Sequence, residues 1–139
     1  MEANPSAQYR LKVAQGFLTE ARQNLSSRQW RACVEHCQLS VENAAKTALA
    51  LLGPVSRTHD PGATLHRALV QGRFPDALRG QVEGLIALAG QLGADIRIAI
   101  SYGDEDALRT PWDLFDESDA GKAIEFATQA CQLAEQLAG

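Results

Sequence analysis

Five side chains in this sequence have the chemistry needed to hold a phosphate or a nucleotide. They are Lys46, Arg57, His59, Arg97 and Tyr102. The guanidinium group of Arg97 can donate two parallel hydrogen bonds to a phosphate, and the other two cations add positive charge. A histidine can act as an acid, a base or an anion contact, and a tyrosine ring can stack on any base. Arg97 and His59 are therefore the candidates for catalysis.

Arg97 and Tyr102 lie about a turn and a half apart on a predicted helix, so both can border one pocket. Each also fits a role that needs no ligand. Arg97 can form an ion pair with Asp95, Asp104 or Glu105, and Tyr102 can cover the edge of the core with its hydroxyl group in water. The sequence leaves both interpretations open.

A polar elbow at residues 53–61 holds the second group of candidates. His59 precedes Asp60 here, and a neighbouring carboxylate can orient an imidazole or keep it protonated. The alternative is that Thr58 or Asp60 caps the next helix while His59 packs locally.

Glu42 and Lys46 are four residues apart in the order that favours an ion pair on a helix, which contributes only about 0.2–0.5 kcal/mol. A solvated surface pair is one interpretation. In the other, Lys46 faces the elbow and forms a small basic patch with Arg57 and His59.

Periodic apolar residues predict that helices position these side chains. Steps of three and four residues mark the second helix, with its stripe of Val34, Cys37, Val41, Ala44, Ala48 and Leu51. The predicted helices cover about residues 6–26, 28–52, 62–71, 76–102 and 116–137. We therefore predict an all-α fold, an up-and-down bundle of about four long helices and one short helix, in a single domain over residues 1–139.

Composition narrows the function classes. The formal charge of −4 argues against a protein that binds polyanions by bulk electrostatics alone. No uninterrupted apolar run of about 18 residues and no signal-like segment is present, so we expect no membrane span and a cytoplasmic location. Cys33, Cys37 and Cys131 fall on apolar helical faces, as expected for reduced, buried thiols. We predict no metal ion and no cofactor.

Two expectations concern local structure. Four glycines interrupt the long segment 76–102, and we expect a tight helix contact or a kink near Gly90. In the polar loop 103–117, Trp112 and Phe115 are large enough that we expect both to cover the bundle.

The order of motifs resembles the HEPN family, the "higher eukaryotes and prokaryotes nucleotide-binding" domains. The similar segments are SVENAAKTAL at 40–49, THD at 58–60 followed by Leu65, RIAISYGDED at 97–106, and the closing loop and alanine-rich helix at 113–137. The resemblance implies a bundle of about five helices that commonly forms homodimers. It also implies a choice between nuclease toxins and noncatalytic partners of minimal nucleotidyltransferases in toxin–antitoxin pairs.

The nuclease members of that family carry an arginine, then four to six residues, then a histidine. Arg97 matches the arginine, but Tyr102, Gly103 and Asp104 occupy the window for the histidine. The resemblance therefore implies a noncatalytic dimer that binds a nucleotide or an RNA phosphate and associates with a nucleotidyltransferase. Two alternatives remain: a metal-independent RNase that uses Arg97 with His59 as a displaced base, and a purely structural dimerisation or interaction module.

Overall fold

The computed structural model describes residues 4–139, and the chain there is helical. The helices are α1 (Pro5–Ser26), α2 (Trp30–Ala50), α3 (Pro61–Val70), a 3-10 turn (Asp76–Leu78), α4 (Arg79–Gln91), α5 (Ala94–Tyr102), α6 (Pro111–Leu114) and α7 (Glu117–Ala138). Within this range there is no strand, only one isolated bridge between Asp104 and Arg109. The predicted all-α class is confirmed.

Helix α2 is the centre of the bundle, because it contacts each of the other six α-helices. Small residues let the long helices approach closely. The fully buried alanines are Ala7, Ala14 and Ala21 on α1, Ala44, Ala45 and Ala48 on α2, and Ala120, Ala127, Ala130 and Ala134 on α7. The apolar stripe of α2 thus faces α1 and α7, as its spacing predicts.

Side-chain caps fix where two of the helices begin. The Asn4 side chain accepts a hydrogen bond from the Ala7 amide (3.0 Å) at the start of α1. The Asp60 carboxylate accepts one from the Ala63 amide (3.2 Å) at the start of α3. Each cap satisfies an amide that the helix itself leaves unpaired, and a proline follows each cap as the first helical residue.

The predicted single helix over residues 76–102 is wrong, because the chain breaks between α4 and α5. Leu92 and Gly93 both leave the helical conformation there, with ψ angles of 50° and −153°. This break begins two residues after Gly90, so the expected kink near Gly90 is confirmed, whereas the close helix contact lies elsewhere. A Cβ atom on Gly84 would come within 2.7 Å of the Leu133 side chain on α7, whereas nothing lies within 4 Å of one on Gly90.

The broken segment is also the most apolar part of the chain. Among the described residues, Asp76–Tyr102 is the one stretch long and apolar enough to cross a membrane, with a mean hydropathy of 1.3 over 18 residues. Sequence reasoning missed this because charged residues interrupt the run. The break at Gly93 argues against one spanning helix, since it would leave backbone groups unpaired in lipid. Only 22% of this window is buried, so much of its apolar surface faces outward.

The loop after α5 contains a short helix, α6, that sequence reasoning missed. Thr110 and Asp113 form a capping box that starts it, each side chain bonding the other's backbone amide. The prediction that Trp112 covers the bundle is wrong, since the side chain is 71% exposed. Its ring instead lies 5.6 Å from the guanidinium carbon of Arg31. Phe115 is buried, as expected.

Candidate functional site

A cleft of about 440 Å³ opens between α2, the start of α3 and the junction of α4 and α5. Its polar lining consists of Gln38, Glu42, His59, Asp60 and His66. Its apolar walls include Val41, Ile86, Ala89 and Leu92. A concave, largely apolar cleft with a few convergent polar groups is the usual form of a small-molecule site.

The close approach of α3 to α4 forms one end of this cleft. A Cβ atom on Gly62 would lie 3.1 Å from the Cβ atom of Ala89, so a side chain at Gly62 would crowd the contact. The Asp60 cap holds the first turn of α3 in place beside it. This start places His59, the residue before the cap, at the rim of the cleft.

Glu42 lies at the centre of the polar lining and is only 6% exposed. Its Oε2 atom is 3.6 Å from Nζ of Lys46, and its Oε1 atom is 3.4 Å from Nδ1 of His59. Lys46 is also buried, so the interpretation of Glu42 and Lys46 as a solvated pair is wrong. Lys46 and His59 do come together, but around a carboxylate rather than as a purely basic patch. Arg57 is exposed on the elbow.

Gln38 lies one helical turn before Glu42 and faces the same cleft. Its side chain is 6% exposed and forms no hydrogen bond with any residue of the described chain. Among the described residues the buried side-chain atom without a partner is Nε of Arg31, so the Gln38 amide is open to the cleft rather than sealed in the core.

Arg97 is exposed on α5 and makes no ion pair with Asp95, Asp104 or Glu105, nor with any other described residue. It lies one turn after Ala94, which lines the cleft. Residues three apart lie near one another on a helix surface, but Arg97 itself does not line the cleft.

Tyr102 does not line the cleft either, and it lies away from Arg97. Five residues on a helix correspond to a rotation of about 140°, which separates the two side chains. Tyr102 is 67% exposed and lines an open groove with Asp95, Asp104, Glu105 and others. Arg97 does not line that groove. The carboxylates that do line it would repel a phosphate.

Two exposed apolar side chains, Ile98 and Tyr102, line that groove, and two more, Leu108 and Trp112, are exposed in the chain that follows α5. We call Ile98, Tyr102, Leu108 and Trp112 the α5–α6 face. These four are among the six large hydrophobic residues that are exposed in the described structure. Leu108 also has a positive φ of 56° in the tight loop closed by the Asp104–Arg109 bridge, and strained backbone often marks a functional surface. Contiguous exposed apolar surface indicates a contact with another molecule.

A second arginine–histidine pair, Arg31 and His36 on α2, does not form a site. Arg31 pairs with Glu35 at 3.0 Å and donates a hydrogen bond to the Ile100 carbonyl at 3.1 Å. His36 turns to the other side of α2, where its Nδ1 atom lies 2.6 Å from the Asn24 side-chain oxygen. The two residues therefore serve packing between different helices.

The three cysteines are buried and unbridged. A hydrogen bond with Cys33, together with burial, raises the pKa of the Cys37 thiol far above its ordinary value. Burial likewise raises the pKa of Cys131, whose sulfur lies 3.4 Å from the Ser40 hydroxyl. Raised pKa values keep Cys37 and Cys131 as thiols, so neither is a reactive nucleophile at neutral pH.

Sequence reasoning missed two residues of the cleft, Gln38 and His66. The signal for Gln38 was its position one residue after Cys37 on the central helix α2, next to the buried stripe. His66 was not detectable as a neighbour of His59, because it lies seven positions further along the chain. Only the turn into α3 brings both residues to one cleft.

The all-α bundle packed around α2, with a cleft beside it, defines the class of the protein as a single helical bundle domain. A sequence model of the HEPN domain matches residues 7–137, nearly the whole chain, and the chain belongs to the HEPN family. The solved structure of the protein TT1696 from Thermus thermophilus is similar, with a TM-score of 0.69 and 18% identity over 94% of this chain and 97% of that chain. At that identity the likeness shows a shared fold. No curated protein matches the sequence significantly.

Proposed function

We propose that this HEPN protein is a noncatalytic homodimer that binds a nucleotide or an RNA phosphate and acts as the partner of a minimal nucleotidyltransferase. The observation that carries the proposal is the cleft beside α2, which has apolar walls, buried polar groups at its base and Arg97 one turn beyond its end. This arrangement suits a flat base inside and a phosphate at the rim.

Charge supports the phosphate position. Lys46 balances the charge of Glu42, and Asp60 points at the amide of Ala63 at the start of α3. The positive charge of Arg97, and of His59 when protonated, is then available to an anion at the rim. A charge-assisted hydrogen bond to phosphate contributes about 1.5–3 kcal/mol, and less where solvent screens it.

The α5–α6 face supports the homodimer. Ile98 and Tyr102 lie one turn apart on α5 and are both exposed. Asp104 and Glu105 line the same groove. A two-fold axis through this face would pack Ile98 and Tyr102 of one protomer against the same residues of its partner, so the contact would be apolar at its centre.

The noncatalytic role follows from chemistry at Tyr102. A tyrosine titrates near pH 10 and is a poor general base at neutral pH. In this chain it also lies in the acidic groove, away from the cleft. The nucleotidyltransferase partner and the cytoplasmic location belong to the proposal through family membership and through three free thiols.

The test is a gel with end-labelled single-stranded RNA and protein stripped of metal by a chelator. We expect the wild-type protein to shift intact RNA and Arg97→Ala to bind about tenfold more weakly, because one phosphate contact is lost. Arg73→Ala is the matched control, since Arg73 is also exposed and lies outside the cleft. It should bind as the wild type does.

Each other outcome selects a different function. RNA cleavage that disappears in Arg97→Ala would identify an RNase, and His59→Ala would then test the base. Intact, unshifted RNA in every lane would overturn RNA binding and leave a dimerisation module.

A further inference from the structure

Two polar side chains in the lining of the cleft can form further hydrogen bonds. Gln38 and Glu42 lie one turn apart on α2, and both are more than nine-tenths buried. The Gln38 amide has no hydrogen-bond partner in the described part of the chain. Glu42 has only two contacts, at 3.4 Å to His59 and 3.6 Å to Lys46, and both are too long to saturate a carboxylate.

The surroundings point to a flat ligand. Val41, on the same face of α2, and Ile86, Ala89 and Leu92 across the cleft form apolar walls. Flat aromatic rings are bound well between such walls while their edges meet polar groups. Water alone does not explain this lining, because a water-filled cleft does not require apolar walls on both sides.

A metal ion is not the occupant that these groups favour. No group of three or more histidine, cysteine, aspartate or glutamate side chains in residues 4–139 is arranged to hold one. The ammonium group of Lys46, close to Glu42, would also repel a cation.

Hydrogen-bond chemistry selects among the bases. An ionised carboxylate only accepts, so Glu42 needs adjacent N–H donors on the ligand, whereas the Gln38 amide can donate to a carbonyl. Guanine presents both features on one edge, as N1–H and the 2-amino group beside the O6 carbonyl. Adenine and cytosine place a ring-nitrogen acceptor on that edge, and uracil places its one N–H between two carbonyls. In each of these bases an acceptor would face Glu42.

We propose that the cleft binds guanine, with Glu42 accepting from N1–H and the 2-amino group and Gln38 donating to O6. The inference rests on the proposed function, and it names the ligand as a guanine nucleotide or a guanine base in RNA. Lys46 and His59 hold the Glu42 carboxylate in position, and Arg97, one turn beyond Ala94 on α5, would meet the phosphate.

The experiment is titration calorimetry of the full chain with guanosine, adenosine, cytidine and uridine 5′-monophosphates. We expect the guanosine nucleotide to bind at least about tenfold more tightly than the other three, because the mismatched bases leave buried polar groups unpaired. Inosine 5′-monophosphate lacks the 2-amino group and should fall in between.

Glu42→Gln tests the carboxylate, because it replaces one acceptor by a donor. It should abolish the preference for guanosine over inosine monophosphate. Glu83→Gln is the matched control, as Glu83 also pairs with a cation four residues away, Arg79, but lies outside the cleft and is exposed. It should keep the preference.

Gln38→Leu provides a second test that does not depend on Glu42→Gln folding. Guanosine and inosine monophosphates both carry O6, so this variant should weaken both by a similar factor. Equal binding of all four nucleotides by the wild-type protein would overturn the guanine assignment and leave the proposed function in place. No binding of any nucleotide, with RNA also unshifted, would overturn both.

Discussion

The cleft beside α2 and the α5–α6 face are built in opposite ways. The cleft buries polar groups, Gln38 and Glu42, between apolar walls. The face exposes apolar groups, Ile98 and Tyr102 among them, beside a row of carboxylates. Both regions include residues near the α4–α5 break. Leu92, Gly93 and Ala94 line the cleft, and Asp95 lines the groove of the face.

The contrast indicates what each region binds. Buried, unpaired polar groups give specificity for a small ligand, because a mismatched ligand leaves them without partners. Exposed aromatic and aliphatic groups with a charged rim are typical of a protein interface. Arg97 lies between the two regions, so separate variants on each side are needed to show that they act independently.

The largest effect is expected at the face, from Ile98→Glu. A glutamate at the centre of a dimer contact would be buried beside the acidic groove of both protomers, and we expect the dimer to dissociate at least about 100-fold more readily. Sedimentation velocity over a range of concentrations measures this. Binding of guanosine monophosphate in the cleft should remain within about twofold of wild type, because Ile98 does not line the cleft.

Val70→Glu provides the matched control for that experiment. Val70 is as exposed as the residues of the face but lies on α3. It should sediment as the wild type does. If Val70→Glu disrupts the dimer and Ile98→Glu does not, the interface lies elsewhere and the face needs another partner.

The next effect is expected at the cleft, from Lys46→Met. It leaves the buried Glu42 carboxylate with His59 alone, and we expect a loss of about 2–3 kcal/mol in the free energy of unfolding, somewhat below the range typical of broken buried pairs. Urea unfolding followed by circular dichroism measures the loss. The double variant Lys46→Met with Glu42→Gln should recover much of it, since no unpaired charge remains.

An exposed pair with the same spacing sharpens this result. Arg79 and Glu83 lie 3.0 Å apart, and each side chain is 54% exposed. Arg79→Met should therefore change the free energy of unfolding by less than about 0.5 kcal/mol. If Lys46→Met and Arg79→Met lowered the free energy of unfolding by similar amounts, Glu42 would be better solvated than its burial indicates.

The difference between these two pairs also shows what the sequence can predict. Both pairs have the same i, i+4 pattern, and the pattern alone assigns each to a solvated surface. Burial of the first pair results from α3 and the α4–α5 junction covering α2, and those elements are distant in sequence. The bundle, by contrast, was predictable because helical periodicity is local: the stripe from Val34 to Leu51 identifies α2 without knowledge of its neighbours.

The wrong prediction of one helix over residues 76–102 has a similar explanation. Heptad spacing continues from Leu78 to Ala99 across the junction, so periodicity predicts one helix. The spacing survives because residues on both sides pack on the same core. The cleft depends on this break, since Leu92, Gly93 and Ala94 line it. The glycines indicated a kink near Gly90, but the cleft was not predictable, because it also needs α2 and α3, which are distant in sequence.

The smallest effect is expected far from both regions, at the start of α7. The carboxylate of Asp116 accepts a hydrogen bond from the Asp119 amide (3.0 Å), which lowers the pKa of Asp116 below its ordinary value of 3.8. The stabilisation is therefore complete above the unfolded pKa and is lost as the pH falls through the lower, folded value. Asp116→Ala should lower the melting temperature by roughly 2–4 °C at pH 7, and the gap to wild type should close once the pH falls below the lowered pKa of Asp116. Glu117→Ala, which removes a neighbouring acid that is not the cap, should show little change at either pH. A difference in melting temperature that persists in acid would mean that Asp116 stabilises α7 through something other than its ionised cap. Unchanged nucleotide binding and sedimentation in Asp116→Ala would show that the losses measured in the cleft and face variants are specific to those regions.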